Sequence, residues 1–306
     1  MKNLVLLMSL FSTLSVSARN NLHTTVWCDT IPRIAIISAF DAELSKLRDS
    51  AELTSQTVVN GRTLWLGRLK GHNVVLLLSG YSIVNATMTT EALLDKFRIK
   101  AIVFSGIAGG VNPSLQVGDV TVAAQWGNYQ EQHFARKTDS GWDTGRHHFE
   151  FPNYGMMFPK NSSVVRANGP ADSLERRFWF PVDSGLLAVA KTLSRDVSLK
   201  RCVNDKDCLD HQPRLVVGGN GVSGPTFVDN AEYREYVWTT FHADALDMET
   251  AAVAFVAYVH RTPFIAFRSL SDLAGGGSGK NEIQTFGKLA AENSASVVLS
   301  FLSRIP

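Results

Sequence analysis

Short unbroken apolar runs alternate with stretches of helical spacing through most of this chain. Residues 33–38, RIAIIS, form such a run, and it reads as a strand buried on both faces. Residues 40–49 follow with helical character and acids in the first turn, where the helix dipole favours negative charge. Residues 63–69 and 73–79 read as two strands of a hairpin turned at Lys70-Gly71-His72. Residues 85–97 read as a helix and residues 101–105 as another buried strand, which runs into Gly106, Gly109 and Gly110. One more strand follows Val117-Gly118-Asp119-Val120.

From about residue 126 to 212 the period dissolves. This stretch carries many aromatics, prolines and histidines, with one helix over about 183–194. It reads as an elaborated insertion on one face of the core, because no flexible linker brackets it. Order returns with a strand at 215–217, a helix at 247–259 that opens with an acid, a strand at 263–269 that ends in Ser271-Asp272, and a closing amphipathic helix at 286–302. Strands that alternate with helices imply an α/β fold with a sheet covered on both faces.

Composition narrows the function. Of 306 residues, 45% are hydrophobic and 19% charged, which suits a globular protein. A net charge of +2 gives no electrostatic case for nucleic acid or an acidic membrane. The first 18 residues predict a secretory signal: Lys2, then an apolar run from Leu4 to Leu14, then Val16-Ser17-Ala18 as small cleavage residues. A polar leader (19–32) would precede one domain over 33–306. The signal predicts a secreted protein, with vacuolar delivery as the other destination, and no membrane contact after cleavage. Cys28, Cys202 and Cys208 would then meet an oxidising compartment. Cys202 and Cys208, in the loop-like RCVNDKDC, are the favoured pair, and Cys28 with either of them is the competing arrangement. No cysteine or histidine set has zinc spacing, so no metal is expected. Asn161, in a polar Asn-Ser-Ser stretch, is the candidate glycosylation site, whereas Asn85 is expected to be too buried for one.

Three carboxylates have suggestive settings. Glu43 follows the first strand, Glu249 stands at the mouth of an apolar helix, and Asp272 lies just past a buried strand. Ligands of open α/β sheets bind outside the carboxyl ends of strands. Each acid taken alone has a plainer explanation as a helix-dipole or turn residue. Gly106-Ile107-Ala108-Gly109-Gly110 lacks dinucleotide spacing, and a tight strand exit would use the same glycines.

The ordered set FDAEL, SGIAGGVNPSLQVGDV, SGPTFVDN, DMETAAVA and RSLSDLAGG is more specific. It resembles the purine nucleoside phosphorylase and methylthioadenosine/S-adenosylhomocysteine nucleosidase superfamily, and within it the secreted plant branch of bark and vegetative storage proteins. The resemblance implies a three-layer αβα fold with a central mixed sheet, no cofactor, and a homo-oligomer, dimeric or trimeric. It implies that Asp272 protonates the purine, that Glu249 with Met248 holds the ribose hydroxyls, and that Glu43 activates water. Phe227 would stack on the base, Val228 would offer backbone contacts, and Gly109 would belong to the substrate loop. Ser79 and Phe40 would line the ribose side.

The chemistry suits those roles. Breaking a C1′–N9 bond puts positive charge on the sugar and negative charge on the base, so an acid must meet the leaving group and a carboxylate the nucleophile. Phosphorylases of this superfamily carry arginines where Glu43 and Phe104 stand here, and neither residue can hold a phosphate dianion. Ile107 departs from a serine common to both branches. Phe40 departs from the methionine usual in bacterial nucleosidases. The expectation is therefore a purine nucleosidase acting on methylthioadenosine, adenosine, inosine or N6-substituted ribosides. A storage protein without turnover and a purine or cytokinin riboside phosphorylase are the alternatives.

Overall fold

The computed structural model describes residues 29–306 apart from 168, 171, 172 and 195. The expected signal, most of the leader and Cys28 lie outside the described residues. The leader's last residues, 29–32, belong to the first strand, β1 (Asp29–Ser38).

The chain continues through α1 (Asp41–Asp49), β2 (Glu52–Val59), β3 (Arg62–Leu69), β4 (His72–Leu78), α2 (Ser82–Lys96), β5 (Phe97–Gly110), β6 (Val120–Val122) and β7 (Gln125–Asn128). Six short strands follow: β8 (Gln132–Phe134), β9 (Arg136–Thr138), β10 (Gly141–Asp143), β11 (Met157–Pro159), β12 (Ser162–Val165) and β13 (Leu174–Arg177). Then come β14 (Trp179–Pro181), α3 (Ser184–Leu193), β15 (Leu215–Val217), β16 (Asn220–Ser223), α4 (Ala231–Phe241), β17 (Ala243–Asp247), α5 (Thr250–Val259), β18 (Phe264–Asp272) and α6 (Ile283–Leu302).

The central sheet is mixed, in the order β14-β7-β16-β17-β5-β1-β4-β3-β2, with β18, β6 and β15 branching from β5. β1 runs parallel to β4 and β5, and β5 parallel to β18, whereas β17 meets β5 antiparallel. The apolar run of β1 alternates between two cores. Ala35 and Ile37 pack with residues of α2 and α5, and Ile34 and Ile36 with residues of α1, α3 and α6. The run is continuous because both faces are covered. This is the three-layer αβα arrangement. No helix among the described residues is long and apolar enough to cross a membrane.

Several differences from the sequence reading have physical causes. β2 is almost wholly solvent-exposed at the sheet edge, so its sequence ELTSQTVV carries no apolar period. Its turn into β3 is Asn60-Gly61, both with positive φ (49° and 76°), the geometry of a two-residue hairpin. The stretch read as a helix from residue 247 splits: Asp247 ends β17, Glu249 is the residue before α5, and the helix starts at Thr250. The stretch 126–212 is anchored in the sheet through β7 and β14. β7 pairs with β16 and β14 pairs with β7, while β8–β11, β9–β10 and β12–β13 form small separate ribbons.

Candidate active site

β1, β4, β5 and β18 all deliver their carboxyl ends to one rim of the sheet, and a cavity with about 560 Å³ of empty space opens there. Its walls include Phe40, Glu43, Gly109, Phe227, Val228, Met248, Glu249 and Asp272. These eight positions come from five distant parts of the chain. Ser79 is not among the lining residues. It is fully buried at the end of β4, and its hydroxyl donates to the Gly80 carbonyl at 2.9 Å. Tyr81, two residues on, reaches the cavity instead and stacks on Phe40 with ring centroids 5.3 Å apart.

Asp272 closes one end. It is the last residue of β18, and the strand's burial carries it inside. One oxygen accepts from the Ala274 amide at 2.9 Å, and the other from the Ser271 hydroxyl at 2.8 Å. Burial holds its carboxyl above the usual carboxylate range despite those donors. Phe227 stands at the mouth, 53% exposed, and Val228 beneath it is buried.

Glu43 lies in the first turn of α1, 1% exposed. Its two oxygens accept from the backbone N–H groups of Ala39 (2.7 Å) and Ile107 (2.8 Å). Burial raises its carboxyl, and the Arg268 charge and the amide donors oppose that rise. Glu249 accepts from the Ser82 backbone N–H at 2.7 Å. Burial first, then the neighbouring Asp247 charge, pushes its carboxyl up to about 7.

The residue that sequence reasoning missed is Arg268. Its guanidinium is fully buried, over the Phe104 ring at 4.1 Å. Nε meets Asp247 Oδ2 at 2.8 Å, Nη1 lies 3.8 Å from Glu43 and Nη2 4.0 Å from Glu249. Nη2 has no hydrogen-bond partner among the described residues. A charge inside the apolar run FIAFRSLSD was the available signal, since a buried arginine needs paired acids. Asp247, also missed, accepts from the Thr250 amide at 3.1 Å and from Arg268, so it caps α5 and holds the guanidinium together. Gly106 makes room for this arrangement: a Cβ there would sit 1.9 Å from Arg268 Nη1 and 2.6 Å from Glu43 Oε1. Phe104 lies under Arg268, outside the cavity wall.

Elsewhere, Cys202 and Cys208 are joined by a disulfide across a short loop. Asn161 is half-buried. Asn85 is half-buried as well, with its side-chain N–H donating to the Tyr81 carbonyl at 2.7 Å.

Comparison with known proteins fits this geometry. A 5'-methylthioadenosine/S-adenosylhomocysteine nucleosidase of Geobacillus sp. is 32% identical over 274 residues, covering 89% of this chain and 99% of the relative. Bark storage protein A of Populus deltoides is 25% identical over 288 residues, covering 90% of this chain and 89% of that protein. Among solved structures, a Neisseria meningitidis 5'-methylthioadenosine/S-adenosylhomocysteine nucleosidase in complex with methylthio-immucillin-A matches at a TM-score of 0.66 and 25% identity, over 90% of this chain and 100% of that one. The model of the phosphorylase superfamily matches residues 33–303, and the chain belongs to that superfamily.

Proposed function

We propose that this chain is a purine nucleosidase that hydrolyses the N-glycosidic bond of adenine-type nucleosides. One observation carries the reading: Glu43, Glu249 and Asp272 face a single cavity whose mouth holds an aromatic ring. Asp272, whose carboxyl is pushed up by burial, delivers a proton to the leaving base. Glu249 accepts from the ribose hydroxyls and balances the positive charge that grows on the sugar. Glu43 takes the proton of an attacking water. The nucleosidase relatives support the same reaction.

Charge favours water over phosphate as the nucleophile. Glu43, Asp247 and Glu249 line the cavity, and Arg268, the buried cation beside them, is already paired with Asp247. A phosphate dianion entering that field is repelled. The test is product analysis with purified protein. Adenine should form at equal rates with and without phosphate, with free ribose as the sugar product from adenosine and 5-methylthioribose from methylthioadenosine. Ribose 1-phosphate as the sugar product would make the protein a phosphorylase. No base release from any purine nucleoside by folded protein would support the storage reading that the bark storage relatives suggest.

The pH profile follows from Glu249. It must be ionised to do its work, so kcat/KM should climb with pH and level off above about 7. Glu249→Gln should lower the rate and flatten that acid limb, and an unchanged limb would assign it to another group. Export of the protein remains part of the proposal, supported by the amino-terminal sequence pattern and by the Cys202–Cys208 disulfide.

A further inference from the structure

One hydrogen bond of Glu249 comes from a strained turn. The Ser82 N–H donates to Glu249 Oε1 at 2.7 Å, and Ser82 has a φ of 74°. That is left-handed backbone, which a glycine adopts freely and a serine only where its surroundings impose it. The turn joins β4 to α2. Its start is tied to β1: the Ser79 N–H donates to the Ser38 carbonyl at 2.8 Å, and the Gly80 N–H to the Ala39 carbonyl at 3.1 Å. Tyr81, between that anchor and Ser82, is 60% exposed, so burial does little to hold it.

Two side chains outside the cavity wall hold it instead. Asn85, in the first turn of α2, donates from Nδ2 to the Tyr81 carbonyl at 2.7 Å, and its Oδ1 accepts from Arg62 Nη2 at 2.8 Å. Arg62 opens β3, and its Nη1 lies 3.5 Å from the Leu78 carbonyl. The guanidinium packs on Gly80, where a Cβ would meet Nη1 at 3.0 Å. Arg62 makes no ion pair among the described residues, so its charge is directed at the Asn85 amide oxygen and the backbone before the turn. From this geometry we propose that Arg62 and Asn85 are positioning residues, which clamp the turn so that the Ser82 amide stays on Glu249. The proposal rests on the nucleosidase reading, in which Glu249 holds the ribose hydroxyls. The charged groups that face Glu249 are Asp247 from β17, Arg268 from β18 and Glu43 from α1, and the Ser82 amide adds a neutral donor that favours its ionised form.

The test compares Asn85→Ala, Arg62→Ala, their combination, and Asn85→Ala joined with Ser82→Gly, all well below their melting temperatures. It reads kcat/KM for adenine release from adenosine across pH, and calorimetric Kd for adenosine. Asn85→Ala should lower kcat/KM about tenfold and move its acid limb up by about one pH unit, since loss of the Ser82 donor disfavours ionised Glu249. Kd should rise with it. Arg62→Ala should act in the same direction, and the combination should be no worse than Asn85→Ala, because both work through the Tyr81 carbonyl. Ser82→Gly should recover most of the loss in Asn85→Ala, because glycine adopts the left-handed backbone without a clamp. Asn85 also begins an Asn-Ala-Thr sequon, so Thr87→Ala is the control: it removes the sequon, keeps the clamp and should behave as wild type. The same loss in Thr87→Ala would assign the effect to a glycan and overturn the proposal. An unmoved acid limb in Asn85→Ala, or a loss that Ser82→Gly fails to recover, would overturn it as well and leave the nucleosidase reading intact. Adenosine binding that follows the series, with no adenine release by any of the proteins, would keep the clamp and remove hydrolysis. Neither release nor binding by the wild-type protein would remove both.

Discussion

Asp272→Asn should reduce adenine release by about 10²–10⁴-fold, the usual contribution of a positioned general acid. Asparagine matches aspartate in size, so the cavity keeps its shape. Its side-chain oxygen can still accept from the Ala274 amide, and its nitrogen can turn toward the Ser271 hydroxyl. Folding should change little and nucleoside Kd should stay within a few-fold. What asparagine cannot do is give up a proton. An adenine that leaves unprotonated is a poor leaving group, and the barrier rises accordingly. A ribosyl substrate with a leaving group that needs no proton, such as a nitrophenolate, separates these effects. Its hydrolysis should survive in Asp272→Asn to within about tenfold, since the remaining site still supplies charge and orientation. Wild-type adenine release by the variant would take Asp272 out of the chemistry.

The fold class was legible in the sequence, and so were most residues that line the cavity, but individual elements were not all so. Period and burial are visible where both faces of an element are apolar, as in β1 and β5, and there the reading finds the buried middle of each strand, 33–38 and 101–105, but not its full extent. They are invisible where one edge faces water, as in β2, whose residues are mostly exposed. Asp247 illustrates a second limit. An acid before an apolar helix looks like the first residue of that helix, yet the side chain here caps α5 from the end of β17 and pairs with Arg268. Nothing local distinguishes those two settings, because the partner is 21 positions away in β18. Ser79 illustrates a third. A serine at a strand end is a plausible ribose contact, but its hydroxyl is satisfied one residue away. The eight residues that do meet in the cavity were legible because their motifs occur in a fixed order along the chain. Sequence order alone could not give the buried cation that pairs with their charges, because that depends on which side chains end up facing each other.

Glu43→Gln carries the second large expectation, and its interpretation depends on the hydrogen bonds around that carboxylate. Each oxygen accepts from a backbone amide, Ala39 on one side and Ile107 on the other. Glutamine supplies one acceptor and one NH₂. One of the two amides would then face a donor, which should cost about 1–3 kcal/mol of stability. The rate should fall by about 10²–10⁴-fold, because an amide cannot take a proton from water. Stability and chemistry must therefore be separated. A fall in kcat at temperatures well below the melting transition, with methylthioadenosine Kd nearly unchanged, assigns the loss to chemistry. Glu43→Ala offers the sharper version, since it leaves a space beside Ile107 that added formate can fill. Formate should restore part of kcat, because a carboxylate is returned to the same buried position near Arg268. An unchanged kcat in Glu43→Gln would mean that the water is activated elsewhere, with Glu249 the remaining carboxylate beside Arg268 Nη2.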